Sequence, residues 1–290
     1  MSNNQTKIIF APTWGLSTND LLNIYNKQTP KKDGVWNQLV GTDNISEADY
    51  IIVQDDTTEN VDLNKVIFFG TEPNHVLSKN VSLKWRNSFR FFHHEFQNAW
   101  LPYQWWVDMD FDLDHTQVPK DKKFSIIDSG KTAYAGHVKR LQFINDFINK
   151  YPNEAEIWGT VCGKYSNTPP FRTELPHRVK NDGLLPYRYT LSIENGVTDT
   201  YFSEKFNDAI LCYTMPIYYG CRNMHKFFPE GSYVHIDIDD PNAMDRVVDI
   251  VNSDIREQNM DKIIEARNLL LYKYNIWPTI DLAINEGKLL

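Results

Sequence analysis

The stretch spanning residues 189–220 constrains the fold of this 290-residue chain most, because its hydrophobic period changes twice. Residues 189–193 alternate apolar and polar side chains, which predicts a β-strand with two unlike faces. Residues 202–213 place their apolar side chains at helical spacing on one stripe. Residues 215–219 are again a short apolar run. The order strand, polar loop, helix, strand predicts one repeat of an α/β sheet.

The first turn of the predicted helix contains the residues of this stretch that are candidates for ligand binding. Asp199 or Thr200 is expected to cap the helix, which puts Glu204 and Lys205 in its first turn. Unpaired backbone N–H groups and the helix dipole favour a diphosphate or a network of sugar hydroxyls at such a position. A Glu-Lys pair is also common on a solvated helix face, so by itself the pair does not identify a site.

The whole stretch resembles the signature segment of glycosyltransferase family 10, the α-1,3/1,4-fucosyltransferases. In that family a strand ending in Glu-Asn leads to a Tyr-x-x-Glu-Lys helix start, and an apolar, proline-containing strand ending in glycine follows. The matching residues here are Ile193-Glu194-Asn195, Tyr201-Phe202-Ser203-Glu204-Lys205 and Met215-Pro216-Ile217-Tyr218-Tyr219-Gly220. The similarity covers roughly residues 186–237 most clearly and can be followed from about residue 120.

The resemblance implies an α/β fold of the GT-B type, in which two Rossmann-like domains face a central cleft. It also implies an inverting transferase that moves L-fucose from GDP-fucose to a hydroxyl of a GlcNAc-containing glycan, most simply as an α-1,3-fucosyltransferase. The partners are then a GDP-sugar donor and an oligosaccharide acceptor. No cofactor and no metal ion is expected, because side chains would neutralise the diphosphate.

The resemblance also implies which residues bind the donor. Arg140, in Arg140-Leu141-Gln142-Phe143, matches the family's arginine that contacts the diphosphate, and its planar fork suits phosphate oxygens. Without the family context Arg140 would be read as a surface residue. Lys205 is expected to stabilise the leaving GDP, and Glu204 to hold ribose or fucose hydroxyls. The remaining predicted donor-binding residues are Glu194, Asn195 and Tyr201.

The catalytic base is expected in the first half of the chain. An apolar run, residues 66–69, ends in Gly70-Thr71-Glu72-Pro73, and ligands bind beyond the carboxyl ends of strands in open α/β sheets. Glu72 is therefore the first candidate, because in the family a strand ending near a Gly-Glu or Glu-Pro step supplies the glutamate that activates the acceptor hydroxyl, although the spacing in Gly-Thr-Glu-Pro departs from that pattern. Glu95 is the alternative, and a solvated loop role for Glu72 stays open.

The remaining sequence favours two domains. Apolar runs at residues 7–12, 50–53 and 66–69, separated by helix-length segments, predict a parallel sheet in a first, acceptor-binding domain, residues 1–115. Residues 116–275 form the predicted donor domain. Residues 276–290 are a tail that in two-Rossmann transferases commonly returns to the first domain. The acidic run at residues 108–119 is interpreted as the linker.

Composition excludes several classes of protein. The net charge of −8 argues against nucleic-acid binding, which rests on a basic face. The three cysteines, Cys162, Cys212 and Cys221, form no Cys-x-x-Cys pair and predict neither a disulfide framework nor a zinc site. No segment approaches the length of an apolar membrane span, and the polar N-terminus lacks a signal-peptide pattern. A cytoplasmic protein is expected, although a soluble catalytic part of an anchored enzyme would look the same.

Alternatives to the interpretation of this chain as a fucosyltransferase stay open. A non-catalytic nucleotide-sugar or glycan-binding protein on the same fold would keep Arg140 and Lys205 but lack an effective base. A transferase with a different GDP-sugar would share the diphosphate site. The spacing of Glu194 and Glu204 disfavours a retaining enzyme of this fold. A dinucleotide oxidoreductase is disfavoured because no Gly-x-Gly-x-x-Gly turn follows the first strand.

Overall fold

The computed structural model describes residues 5–72, 83–93, 101–102, 104–159, 171–174 and 179–287. The chain divides into two compact units. The first comprises residues 1–105 together with 271–290, and the second comprises residues 106–270. The sequence-based bounds were 115 and 275. The acidic run interpreted as a linker falls within the second unit, where the guanidinium of Arg267 donates to the carbonyls of Asp110 and Phe111.

The first unit is built on a six-stranded sheet in the order β2-β3-β1-β4-β5-β6. Only the pairing of β2 with β3 is antiparallel. The central strands correspond to the apolar runs in the sequence and are buried on both faces, as parallel strands are. The strands are β1 (Thr6–Phe10), β2 (Val35–Trp36), β3 (Leu39–Gly41), β4 (Tyr50–Gln54), β5 (Val66–Gly70) and β6 (Arg90–His93).

Two helices, α1 (Thr18–Asn26) and α8 (Ile276–Asn285), pack on this sheet, one from each end of the chain. Ser17 and Asp20 cap α1 reciprocally. Trp277 of α8 is fully buried, and its indole N–H donates to the carbonyl of Tyr25 at 2.7 Å. The returning segment therefore completes the core of the first unit.

The second unit contains another six-stranded sheet, ordered β12-β11-β10-β7-β8-β9, in which all strands are parallel. The strands are β7 (Lys122–Asp128), β8 (Glu156–Gly159), β9 (Phe171–Glu174), β10 (Tyr187–Ile193), β11 (Met215–Tyr219) and β12 (Val234–His235). The predicted order of strand, loop, helix and strand in residues 189–220 is confirmed. The ends of β7 and β10 lie side by side, which places the loops after them at one edge of the sheet.

The helices of the second unit are α2 (Ala135–Lys150), α3 (Asn181–Leu184), α4 (Glu204–Leu211), α5 (Ala243–Val251), α6 (Ile255–Gln258) and α7 (Met260–Tyr272). Phe124, Phe147 and Ile217 belong to the core on one side of the sheet. Phe206 of α4 is fully buried against the rings of Phe202 and Phe228. Within the described ranges, no helix is long and apolar enough to cross a membrane.

The predicted fold class is confirmed. Both units are α/β layers with predominantly parallel sheets, the architecture of the GT-B type. Cys212 and Cys221 are buried and free, whereas Cys162 lies outside the described residues.

Candidate functional site

The N-terminus of α4 is built by a buried carboxylate. Glu194 follows β10 directly and is 1% exposed. It accepts hydrogen bonds from the backbone N–H of Ser203 at 2.7 Å and from the Ser203 hydroxyl at 2.7 Å. Ser203, in turn, is the N-cap residue of α4, and its hydroxyl accepts from the Lys205 N–H. Glu194 thus has a structural role that the sequence did not predict, holding the helix cap.

The predicted cap at Asp199 or Thr200 is wrong, because the helix begins three residues later than a cap at Thr200 requires and four later than a cap at Asp199 requires. The Thr198 hydroxyl accepts the N–H of Tyr201 at 2.9 Å, so the chain makes a turn there before it becomes extended at Ser203. Tyr201 therefore precedes the helix and is 3% exposed. Glu204 and Lys205 do lie in the first turn, as predicted.

The ammonium group of Lys205 contacts three side-chain oxygen atoms at the start of α4. Its Nζ lies 3.3 Å from Glu194 Oε2, 3.1 Å from the Ser203 hydroxyl and 3.4 Å from Glu204 Oε1. The Nζ of Lys180 lies 3.7 Å from the same Glu204 oxygen, Oε1. Burial raises the pKa of the Glu204 carboxyl, but Lys205 and Lys180 outweigh burial and lower it to about 2. Glu204 is therefore an anion at neutral pH and acts as a hydrogen-bond acceptor only.

Arg140 on α2 is buried rather than on the surface, with 5% exposure. Its Nε donates to Asp128 Oδ1 at 3.0 Å, and its Nη1 donates to Asn195 Oδ1 at 2.7 Å. Asp128 ends β7, and Asn195 follows β10. One guanidinium thus joins the end of β7 to the loop after the neighbouring strand β10, and among the described residues these two bonds occupy two of its five donors.

The N-terminus of α2 approaches the same loop. A Cβ built on Gly136 would lie 1.7 Å from the carbonyl oxygen of Asn195, so only glycine fits there. The helix has Tyr134 as N-cap, with no side-chain cap bond. Its first turn is therefore held against the Asn195 backbone, and its N–H groups receive no help from a capping side chain.

His137 is a site residue that the sequence analysis missed. It lies in the first turn of α2, three positions before Arg140 on the same helix face. The imidazole is 4% exposed, and its Nδ1 has no hydrogen-bond partner among the described residues. Burial, followed by the charges of Arg140 and Lys205, lowers the pKa of His137 to about 4, so it is neutral at physiological pH. The signal in the sequence was its helical spacing from Arg140.

The second unit therefore brings together six residues, five predicted and one missed. They are Arg140, Glu194, Asn195, Glu204, Lys205 and His137. This arrangement can bind an anion, because it combines the positive ends of two helices with a guanidinium and an ammonium group. Carboxylates beside the cations hold them in place.

Glu72 lies in the first unit, in the loop after β5. Its backbone N–H donates to Asp55 Oδ1 at 3.0 Å, and the residue is one of those that line a cavity of about 530 Å³. The alternative base, Glu95, lies outside the described residues. Within the described part of the chain, no group of three or more His, Cys, Asp and Glu side chains is placed to hold a metal ion.

Comparisons with known proteins agree with this architecture. Residues 119–259 match the model of "Glycosyltransferase family 10 (fucosyltransferase) C-term". A crystal structure of Anabaena Alr3699/HepE in complex with UDP-glucose is similar at 11% identity and a TM-score of 0.53, covering 98% of this chain and 99% of that one. A crystal structure of an α1,3-fucosyltransferase with GDP is 16% identical at a TM-score of 0.47, covering 96% and 94%. No curated protein sequence matches the chain.

Proposed function

This chain carries, over residues 119–259, the C-terminal domain of glycosyltransferase family 10 and is a glycosyltransferase; we propose that it transfers L-fucose from GDP-fucose. The acceptor in this proposal is a hydroxyl of a GlcNAc-containing glycan, and the product is an α-1,3-linked fucoside. The observation that carries the proposal is the convergence of two helix N-termini on Arg140 and Lys205.

The donor diphosphate binds at these helix N-termini in the proposed complex. Arg140 donates hydrogen bonds from its remaining N–H groups to phosphate oxygens, while Asp128 and Asn195 fix the orientation of the guanidinium. Lys205 supplies a second charge, and neutral His137 supplies a nitrogen. The Glu204 anion accepts hydrogen bonds from ribose or fucose hydroxyls. Tyr201 and Asn195 shape the loop that bounds the site.

The proposed reaction is a single displacement. The acceptor oxygen attacks the anomeric carbon, its proton passes to the Glu72 carboxylate, and the bond to the diphosphate oxygen breaks with its electron pair leaving on GDP. The anomeric centre is inverted. Because negative charge grows on the departing diphosphate, Arg140 and Lys205 stabilise the transition state more than the ground state. Glu95 remains the alternative base.

The proposed donor site requires no metal ion, because side chains and helix N-termini neutralise the diphosphate. Fucose transfer by the purified protein should therefore keep nearly its full rate in EDTA. The measurement is the initial rate before and after chelation, with magnesium and manganese added back as controls. A complete loss that either metal restores would contradict this part of the mechanism.

The first test of the function is calorimetric titration with GDP-fucose, GDP-mannose, GDP and UDP-glucose. UDP-glucose is included because the similar Anabaena structure was determined in complex with it. Preferential binding of GDP-fucose, followed by transfer to N-acetyllactosamine-type acceptors, would support the proposal. Binding of GDP-fucose without transfer to any glycan would favour a nucleotide-sugar-binding protein. Failure to bind guanine nucleotides would overturn it.

A further inference from the structure

The loops that follow β1, β4 and β5 border an open cavity of about 530 Å³ in the first unit. Its described lining consists of residues 12–16, residues 55–58 and Glu72. The volume is in the range of small-molecule sites. The lining includes one aromatic ring, Trp14, together with hydroxyl and carboxylate groups, a combination that suits the apolar face and polar edge of a sugar ring.

Asp55 connects all three loops around this cavity. Its Oδ1 accepts the backbone N–H groups of Thr71 at 2.6 Å and Glu72 at 3.0 Å. Its Oδ2 accepts the Thr71 hydroxyl at 2.9 Å and the indole N–H of Trp14 at 3.1 Å. Both oxygens are thus filled by donors from the loops after β1 and β5, while Asp55 itself belongs to the loop after β4.

The backbone of Asp55 adopts a left-handed conformation that few residue types tolerate. Its φ is +63°, in the left-handed region that side chains other than glycine, asparagine and aspartate rarely adopt. The residue is 4% exposed, and its N–H donates to the carbonyl of Phe69 at 2.9 Å. The bonds from the neighbouring loops therefore hold a conformation that aspartate adopts at lower cost than most residues.

We propose that Asp55 is a positioning residue that holds Glu72 and Trp14 at one cavity. A terminal sugar of the acceptor glycan binds in this cavity. The inference rests on the proposed function, since it gives Glu72 a substrate hydroxyl to act on. Trp14 provides the ring on which the sugar stacks, and Glu72 lies at the same cavity to receive the hydroxyl proton. Asp55 touches neither the donor nor the transferred proton and acts through these two residues.

Protonation of Asp55 would disturb this arrangement, because a carboxylic acid carries a proton where the carboxylate accepts a hydrogen bond. Burial raises the pKa of Asp55 to about 6, against the effect of the bonds from Glu72 and Thr71. The charged and titratable groups nearby are Glu72, Asp56 with its partner Lys84, and Tyr25 of α1. Burial raises the pKa of Tyr25 above its usual value, so it stays neutral.

The test compares Asp55→Asn with Asp43→Asn, which removes the same charge at an exposed position after β3. An amide cannot accept from all four donors, because its nitrogen faces N–H groups. Asp55→Asn should lower kcat/KM for the acceptor on the order of tenfold to a hundredfold. It should leave the affinity for GDP unchanged, and the ionisation near pH 6 should disappear from its pH–rate profile. Asp43→Asn should match the parent protein.

Trp14→Phe is the second variant, and it keeps a ring while removing the N–H donor to Asp55. It should raise the KM for the acceptor several-fold with little change in the KM for GDP-fucose. In combination with Asp55→Asn it should add less than its own separate effect, because the two residues share one hydrogen bond. If Asp55→Asn does not fold, as judged by its circular dichroism, Trp14→Phe alone decides the outcome.

Two kinds of failure are distinguishable. Absence of transfer by the parent protein with every GDP-sugar would overturn the proposed function and the inference that rests on it. Normal transfer by the parent protein, with unchanged acceptor KM, kcat and pH profile in Asp55→Asn and Trp14→Phe, would overturn the roles of Asp55 and Trp14 at this cavity and leave the proposed function standing. Saturation-transfer NMR with N-acetyllactosamine gives a readout that does not require turnover. The acceptor signal should weaken in Trp14→Phe, and an unchanged signal would place the sugar elsewhere.

Discussion

Buried carboxylates position the two cations of the candidate donor site. The side chain of Arg140 is 6% exposed and that of Asp128 is fully buried, as is that of Glu194 beside Lys205. Such pairs contribute little net stability, because desolvation opposes the attraction, but removing one partner leaves a costly isolated charge. Their value here is geometric, since they hold a guanidinium and an ammonium at the helix N-termini.

Replacing Lys205 with alanine should weaken GDP binding. A hydrogen bond to a charged group contributes about 1.5–3 kcal/mol, which corresponds to roughly a tenfold to hundredfold loss of affinity. Calorimetry of Lys205→Ala with GDP measures this loss. A thermal melt should first show that the variant is folded, because the substitution leaves the buried Glu194 carboxylate without its lysine. Lys150→Ala is the matched control at the far end of α2. Unchanged GDP affinity in Lys205→Ala would exclude the site.

Replacing Glu72 with glutamine should separate chemistry from binding. The amide preserves size but cannot take the acceptor proton, so transfer should fall by about two to four orders of magnitude. Donor affinity should not change, because the proposed donor-binding residues belong to the second unit. Initial rates and GDP-fucose titrations of Glu72→Gln measure both quantities, with the exposed Glu59→Gln as control. Retained turnover would transfer the role of base to Glu95 or to another group.

At the scale of elements, the site depends on how closely α2 approaches the loop after β10. Gly136 lies against the carbonyl of Asn195, so this glycine fixes the distance between the helix and the loop. The packing of α4 is equally specific, since Phe206 is buried among aromatic rings while Ser203 and Glu194 fix the first turn. Each helix is therefore positioned by contacts at its N-terminal end, where the ligand would bind.

Gly136→Ala should displace α2 from the loop. Alanine favours a helix by about 1 kcal/mol over glycine, yet here its methyl group would collide with backbone, so the variant should lose stability and GDP affinity together. Chemical denaturation and calorimetry measure the two effects. Val138→Ala, at an exposed position of the same turn, should change neither. A gain of stability in Gly136→Ala with full GDP affinity would contradict the close approach.

At the scale of the molecule, the chain leaves the first unit after residue 105 and returns to it at residue 271. The returning α8 contributes Trp277, Ile276 and Ile280 to the core that also contains β1 and α1. The first unit is consequently discontinuous in sequence, and its core contains residues of both segments.

Trp277→Ala should destabilise the first unit by about 3–5 kcal/mol, the usual cost of deleting a buried aromatic side chain. Urea denaturation followed by circular dichroism measures the loss. Trp277→Phe is the milder comparison, because it keeps a ring while losing part of the indole volume and the bond to the Tyr25 carbonyl, so it should cost less than Trp277→Ala. A change below 1 kcal/mol in Trp277→Ala would show that α8 is not part of the core.

Local patterns in the sequence were sufficient for the fold class. The apolar runs at β1, β4 and β5 and the change of period in residues 189–220 reflect burial within each element, which neighbouring residues determine. The same patterns placed Glu204 and Lys205 in a first helical turn. The family resemblance then identified the C-terminal domain, because its motif is local as well.

Only the tertiary structure decided the contacts between residues that are distant in sequence. Arg140 is buried because Asp128 and Asn195 come from two strands that pair in the sheet. The N-cap of α4 is Ser203, and not the predicted Asp199 or Thr200, because Glu194 at the end of β10 accepts hydrogen bonds from Ser203. Asp55 joins three loops that no short-range pattern connects. Hydrophobic periodicity reports which residues are buried, whereas the hydrogen-bond partner of a buried polar group depends on how the strands are ordered.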